Sequence, residues 1–187
     1  MKYEDVKSPE ELLLFMSENI SYGVATDDGK VYSGADGDLF QEACRTKWKL
    51  CSPERVIKTG YGHCFDDTEL ERAWFVKNGY ECKTLFIWFC MDHENPYFMH
   101  TYLVYKDENK WKYFEYSDSD NRGIYTFDSY DDAISFQRNK FIDYNSKMNP
   151  VGEDELKCLE IYEYDRPKYG INNEEFITYI MKCGRKL

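Results

Sequence analysis

The chain has 187 residues, 42% hydrophobic and 18% aromatic, which suits one globular domain with a large aromatic core and no linker between domains. Its 24 Lys and Arg stand against 35 Asp and Glu, a net charge of -11, so the cationic surface that holds a phosphate backbone is missing and nucleic acid is excluded as an expected partner. Seven cysteines, odd in number and without a C-x-x-C pair, argue against a disulfide framework or a zinc ribbon and for reduced thiols.

The opening MKYEDVKSPE carries neither an apolar leader nor a cleavage site, and no run of about 18 uncharged apolar residues occurs. A soluble, cytoplasmic protein without a membrane partner is therefore expected. Ser8, Pro9 and Glu11 supply an N-cap, a first-turn proline and a capping-box acid, and Leu12, Leu13, Phe15 and Met16 give an apolar face, which predicts a helix to about Ile20. A weaker helix is expected over Leu39 to Lys47. Ser52 and Pro53 open a further short one that stops before Gly60 and Gly62.

Asp66 to Lys77 has acids in its first turn and Leu70, Ala73 and Trp74 at helical spacing, with Asn78-Gly79 as its stop. Cys64 therefore falls at or just before a helix N-terminus. Cys82 to Met91, Met99 to Tyr105 and Trp111 to Tyr116 are rich in strand formers, and the last two flank Asp107-Glu108-Asn109 as an antiparallel hairpin. NPVGEDE in the 150s reads as an exposed turn. A helix over Tyr130 to Tyr144, a strand over Leu159 to Tyr164 and a helix over Asn173 to Cys183 complete an α+β chain. The basic end, Lys182, Arg185 and Lys186, reads as charge that complements a helix C-terminus.

Three residues stand out chemically. A helix N-terminus stabilises a thiolate, and the glycines before Cys64 allow close backbone approach to a substrate and backbone N–H groups as oxyanion donors. Asp66 and Asp67 oppose a second negative charge nearby, so a cationic partner is needed. His100, opening HTYLVY, is the candidate base. His63 adjoins the cysteine and is expected to point elsewhere; His93, in MDHENP, is expected in solvent. Hairpin pairing brings Glu115 to the same open end as His100, where a carboxylate would fix the imidazole's tautomer. Asp118 and Asp120 are the substitutes if the register differs.

These motifs, GHCFD at Cys64, HTYLVY at His100 and WKYFEYS at Glu115, with separations 100 − 64 = 36 and 115 − 100 = 15, resemble the transglutaminase-like superfamily of papain-like fold. The resemblance spans roughly residues 50 to 125. ELERAWF and the Arg122–Ile124 RGI sequence bring it nearest a group of small bacterial members. It implies a papain-like α+β domain, with the nucleophile at a helix N-terminus packed on an antiparallel sheet, and a Cys64-His100-Glu115 triad that needs neither cofactor nor metal. The activity it implies is thiol-dependent acyl transfer at an amide of a protein or peptide substrate, with water as the expected acceptor. Transfer to an amine or from a small acyl donor, or a non-catalytic binding module, are the alternatives. Most members have aspartate where Glu115 stands. An upstream polar or indole side chain completes the oxyanion hole in that superfamily, and Trp48 is the candidate for it here, with core packing as its other role.

Simpler roles stand beside these. The six other cysteines are expected as inert core residues. Glu115 alternates with Phe114 and Tyr116 and suits a surface carboxylate equally well. A zinc site from Cys64, His63 and His100 matches no structural spacing. Asp66, Asp67, Glu69 and Glu71 read as a solvated acidic helix face.

Overall fold

A computed structural model describes residues 2–90, 99–148 and 151–187. His93, Met91, Asn149 and Pro150 lie outside the described residues. Helix α1 (Pro9–Asn19) begins as its sequence predicts: the Ser8 hydroxyl accepts the Glu11 N–H at 3.2 Å, and Leu12, Phe15 and Met16 turn inward. Helix α2 (Asp38–Thr46) buries Phe40, Ala43 and Cys44 at helical spacing. Helix α3 (Pro53–Thr59) is capped by Ser52 and closed by Gly60, whose φ of 70° lies in the left-handed region.

Between these helices lies a small sheet that sequence patterning does not predict. Strand β1 (Ser21–Ala25) pairs antiparallel with β2 (Val31–Ser33) and parallel with β3 (Tyr61–Gly62), with Tyr22 opposite Gly62. Helix α4 (Cys64–Lys77) follows directly.

The main sheet is antiparallel throughout, in the order β7-β6-β5-β4-β8-β9. Its strands are β4 (Glu81–Phe89), β5 (Met99–Asp107), β6 (Lys110–Glu115), β7 (Gly123–Phe127), β8 (Leu159–Tyr164) and β9 (Arg185–Lys186). Helix α5 (Tyr130–Met148), the short α6 (Glu153–Lys157) and α7 (Asn173–Cys183) interleave the last strands. The α+β class is therefore correct, and the predicted hairpin is β5–β6, turning at Glu108 with φ 53°.

The central strand β4 is apolar on both faces because both are covered. Phe86 and Trp88 join Phe65 of α4 and Phe176 and Ile180 of α7 on one side. Leu85, Ile87 and Phe89 meet Ala133 and Phe141 of α5 on the other. Each such side chain contributes about 1.5–3 kcal/mol of burial. A third cluster holds Leu12, Phe15 and Met16 of α1 against Leu70, Trp74 and Phe75 of α4 and Leu103, Tyr105 and Phe114 of the sheet. No described helix is long and apolar enough to cross a membrane.

Several expectations are corrected here. Asp66, Asp67, Glu69 and Glu71 are all buried, because α4 lies between the sheet and the helices α1, α3 and α7 with no solvated face along its first two turns. Arg185 and Lys186 do not cap a helix; they form β9, where they ion-pair with Glu163 (2.6 Å) and Glu160 of β8. Within the 150s segment, residues 153–157 form α6. Cys183 is exposed, and Cys82, Cys90 and Cys158 are half-buried; only Cys44, Cys51 and Cys64 are buried.

Candidate active site

The start of α4 is held by a reciprocal cap. His63 is the N-cap: its Nδ1 accepts the Phe65 N–H at 3.3 Å, while Asp66 accepts the His63 N–H at 3.3 Å. Burial lowers the His63 pKa more than the Asp66 charge raises it, which favours the neutral ring, and the Phe65 N–H selects the tautomer with Nδ1 as acceptor. Asp66 also accepts the Cys51 N–H at 2.7 Å and the Trp48 indole N–H at 2.9 Å, tying the helix start to the segment before α3. Cys64 is thus the first residue of a 14-residue helix, at the end where unpaired N–H groups and the dipole favour negative charge. Gly62 makes room for the turn, since a Cβ there would stand 2.5 Å from the Asp67 carboxylate.

Across the cleft, His100 and Glu115 share one sheet face with Tyr102 and Tyr113, the face that α5 covers. The β5–β6 register pairs Leu103 with Phe114; continued, it sets Glu115 opposite Tyr102 and diagonal to His100. Diagonal neighbours stand about 7–8 Å apart, a gap that the longer glutamate closes. His100 Nε2 and Glu115 Oε2 are 2.9 Å apart, and Glu115 also accepts from the Tyr113 hydroxyl and, at 2.8 Å, from the Asp118 N–H. With 2% of its surface exposed, Glu115 is no surface carboxylate. Asp118 cannot replace it, because its own carboxylate closes the next turn on Asp120 and Asn121.

His100 and Cys64 line the same cleft, close enough for the thiol to act on the imidazole, and since Nε2 serves Glu115, Nδ1 is the nitrogen left to face the sulfur. Burial works to lower the His100 pKa, but the Glu115 charge, the neighbouring Cys64 and the Glu115 hydrogen bond outweigh it and hold the pKa well above its ordinary 6.5. For Glu115 burial works upward, and the His100 charge and hydrogen bond prevail to lower it. The structure therefore sets a hydrogen-bonded His100–Glu115 pair beside Cys64 in one cleft.

Trp48 does not line the cleft: its indole N–H belongs to Asp66, and its ring stacks on His63 at 4.8 Å. Sequence reading overlooks Tyr22, which lines the cleft beside Cys64 and is 42% exposed. Burial of the hydroxyl, then the nearby Cys64, raises its pKa well above 10.0 and keeps it a donor. Only the parallel pairing of β1 with β3, 40 residues apart in sequence by the register 62 − 22, places it there.

The cleft over the thiol encloses about 380 Å3 between the α2–α4 side and α5. Cys44, from α2, shares it, and burial raises that thiol's pKa to about 12, which keeps it protonated. Behind Cys64, Asp67 accepts the Ser117 hydroxyl at 2.8 Å, and Glu71 lies one turn further along the same helix face. Burial first, then neighbouring acids, raises both carboxyls well above their ordinary values. No group of three or more His, Cys, Asp or Glu among the described residues is arranged to hold a metal.

No protein-family model matches the chain, and no curated protein does.

Proposed function

We propose that this is a transglutaminase-like, papain-like thiol enzyme that cleaves an amide bond of a protein or peptide substrate. The observation that carries the reading is the His100–Glu115 hydrogen bond in the same cleft as Cys64, the first residue of a 14-residue helix. Each part suits one step. The helix end and the His100 ring flank the sulfur, and Glu115 holds the ring and its charge.

The Cys64 sulfur attacks the carbonyl carbon, its proton having passed to His100 Nδ1, and the carbonyl π pair moves to oxygen. The Tyr22 hydroxyl and the Cys64 N–H are the donors for that oxyanion. As the carbon–nitrogen bond breaks, His100 returns the proton to the leaving amine, and a thioester remains on Cys64. Water then adds with His100 as base, releasing the carboxylic acid and the free thiol.

The test is the rate of iodoacetamide alkylation, read peptide by peptide by mass spectrometry at pH 7. Cys64 should react faster than the exposed Cys183 despite being only 7% exposed, and His100→Ala should slow it on the order of tenfold without slowing Cys183. A Cys64 slower than Cys183 and indifferent to the substitution would make the cleft a binding surface.

A further inference from the structure

Resting on the thiol reading, we propose that the cleft selects substrates bearing a carboxylate close to the amide that is cut. Arg45 of α2, Arg122 between β6 and β7, and Lys140 of α5 line the cleft from three elements. A chain of net charge -11 thereby presents three cations beside its one triad-linked thiol. Converging like charges raise the local concentration of an oppositely charged ligand.

Arg122 is the most fixed of the three. Its Nε donates to the Tyr116 carbonyl at 2.8 Å, and its guanidinium lies 4.3 Å from the centre of the Tyr116 ring, which leaves the two terminal amino groups as a fork for a carboxylate. The Lys140 ammonium stands 5.6 Å from the Phe136 ring centre, and Arg45 is exposed. Among the described residues none of the three is in an ion pair. The same rim carries Asp118 and Asp120: the Asp118 carboxylate is engaged by the Asp120 N–H at 3.1 Å and the Asn121 amide at 2.7 Å, so it competes poorly for the cations, and with the exposed Asp120 the lining sets three cations against two acids. Phe40, Met99 and Phe141 complete the cleft with apolar surface. An apolar body with one anionic group fits this lining, and a carboxylate supplies that group either from an acidic side chain or from a chain terminus.

Three chloroacetyl probes of one size test this and separate the two sources. N-chloroacetyl-glutamate α-amide carries a side-chain carboxylate, N-chloroacetyl-glutamine a terminal one, and N-chloroacetyl-glutamine α-amide neither. In each reaction the Cys64 sulfur bonds the methylene carbon, chloride leaves, and the thiol proton passes to His100. At pH 7 and low salt, at least one anionic probe should label Cys64 about fivefold faster than the neutral one, and the faster of the two identifies the source. The anionic-to-neutral ratio should fall toward one in Arg45→Gln, Arg122→Gln and Lys140→Gln and with rising salt, and hold in Arg138→Gln, an exposed cation of α5 outside the cleft. A ratio near one in the wild type, or one that survives all three substitutions, overturns the carboxylate inference and leaves the thiol enzyme standing. Failure of every probe at Cys64, with Cys183 labelled normally, overturns both.

Discussion

His100 is held between a thiol and a carboxylate, and the signs of its titration and that of Glu115 follow from that position. The folded pKa of His100 is raised, so its share of stability is complete below its ordinary 6.5 and is lost as pH rises through the folded value. Glu115 is lowered, so its share is complete above its ordinary 4.5 and is lost as pH falls through the folded value. Between those limits the pair is charged and bonded. Glu115→Gln keeps the shape and removes the charge; denaturant melts at pH 6 should show about 1.5–3 kcal/mol lost, with a smaller loss in alkaline buffer where His100 is neutral in both proteins. Tyr22 makes a different prediction, because in the proposed reaction its hydroxyl would meet the reacting oxygen only as charge develops there. Tyr22→Phe should lower kcat about a hundredfold with KM little changed, measured on any peptide that the wild type cleaves. An equal effect on KM would place Tyr22 in substrate binding and leave the oxyanion to backbone donors.

Helix α4 buries four carboxyl side chains in its first two turns, and their partners differ. Asp66 is bonded to the Cys51 N–H, the His63 N–H and the Trp48 indole, whereas Glu69 meets Arg72 and Asp67 meets Ser117 through one oxygen, and Glu69 Oε1, Asp67 Oδ1 and Glu71 Oε2 have no hydrogen-bond partner among the described residues. Because the folded pKa values of Asp67 and Glu71 are raised, the native state binds more protons than the unfolded chain above the ordinary carboxyl range, and stability falls as pH climbs from there toward the folded values. Glu71→Gln, neutral at every pH, should therefore be more stable than the wild type at pH 7 by about 1 kcal/mol or more, with no advantage at pH 4. Urea melts at the two pH values decide it. The same helix shows how far sequence reaches. Its start, its stop at Asn78 and the position of Cys64 are legible because caps and turn residues are local signals, and so are α1, α3, α7 and β8. The burial of its acids is not legible, since polar letters at the surface and polar letters packed under other helices look alike until the layers are known. The two-residue strand β3 and its partner β1 escape for a related reason: their pairing is long-range, and it alone brings Tyr22 to the thiol. His100 and Glu115 are found together because a hairpin is short-range, although only the register explains why glutamate suits the third place.

At the scale of the whole molecule, the cleft exists because helices cover both faces of one antiparallel sheet and meet around the ends of β5 and β6. The thiol comes from the α4 side, while His100 and Glu115 lie on the face that α5 covers, so the proposed triad spans the two layers. Its geometry then depends on the packing that fixes α4 against the sheet. Phe176 of α7 is the keystone: fully buried, it stacks on Phe65 at 4.4 Å and meets Trp48, Phe86 and Tyr164 edge-on. Phe65 in turn follows Cys64 and donates its N–H to the His63 cap. Phe176→Ala should cost about 3–5 kcal/mol in denaturant melts and should also slow alkylation of Cys64 in the molecules that remain folded, because the void lets the cap and the helix start shift. Leu12→Ala makes the comparison: equally buried on α1, in the cluster around the later turns of α4, it should cost about 2–5 kcal/mol while leaving the Cys64 rate in folded molecules unchanged. If both substitutions slow the thiol alike, the two clusters form a single mechanical unit and the site is sensitive to packing throughout the α4 layer. If only Phe176 does so, α7 is the element that sets the thiol against its imidazole.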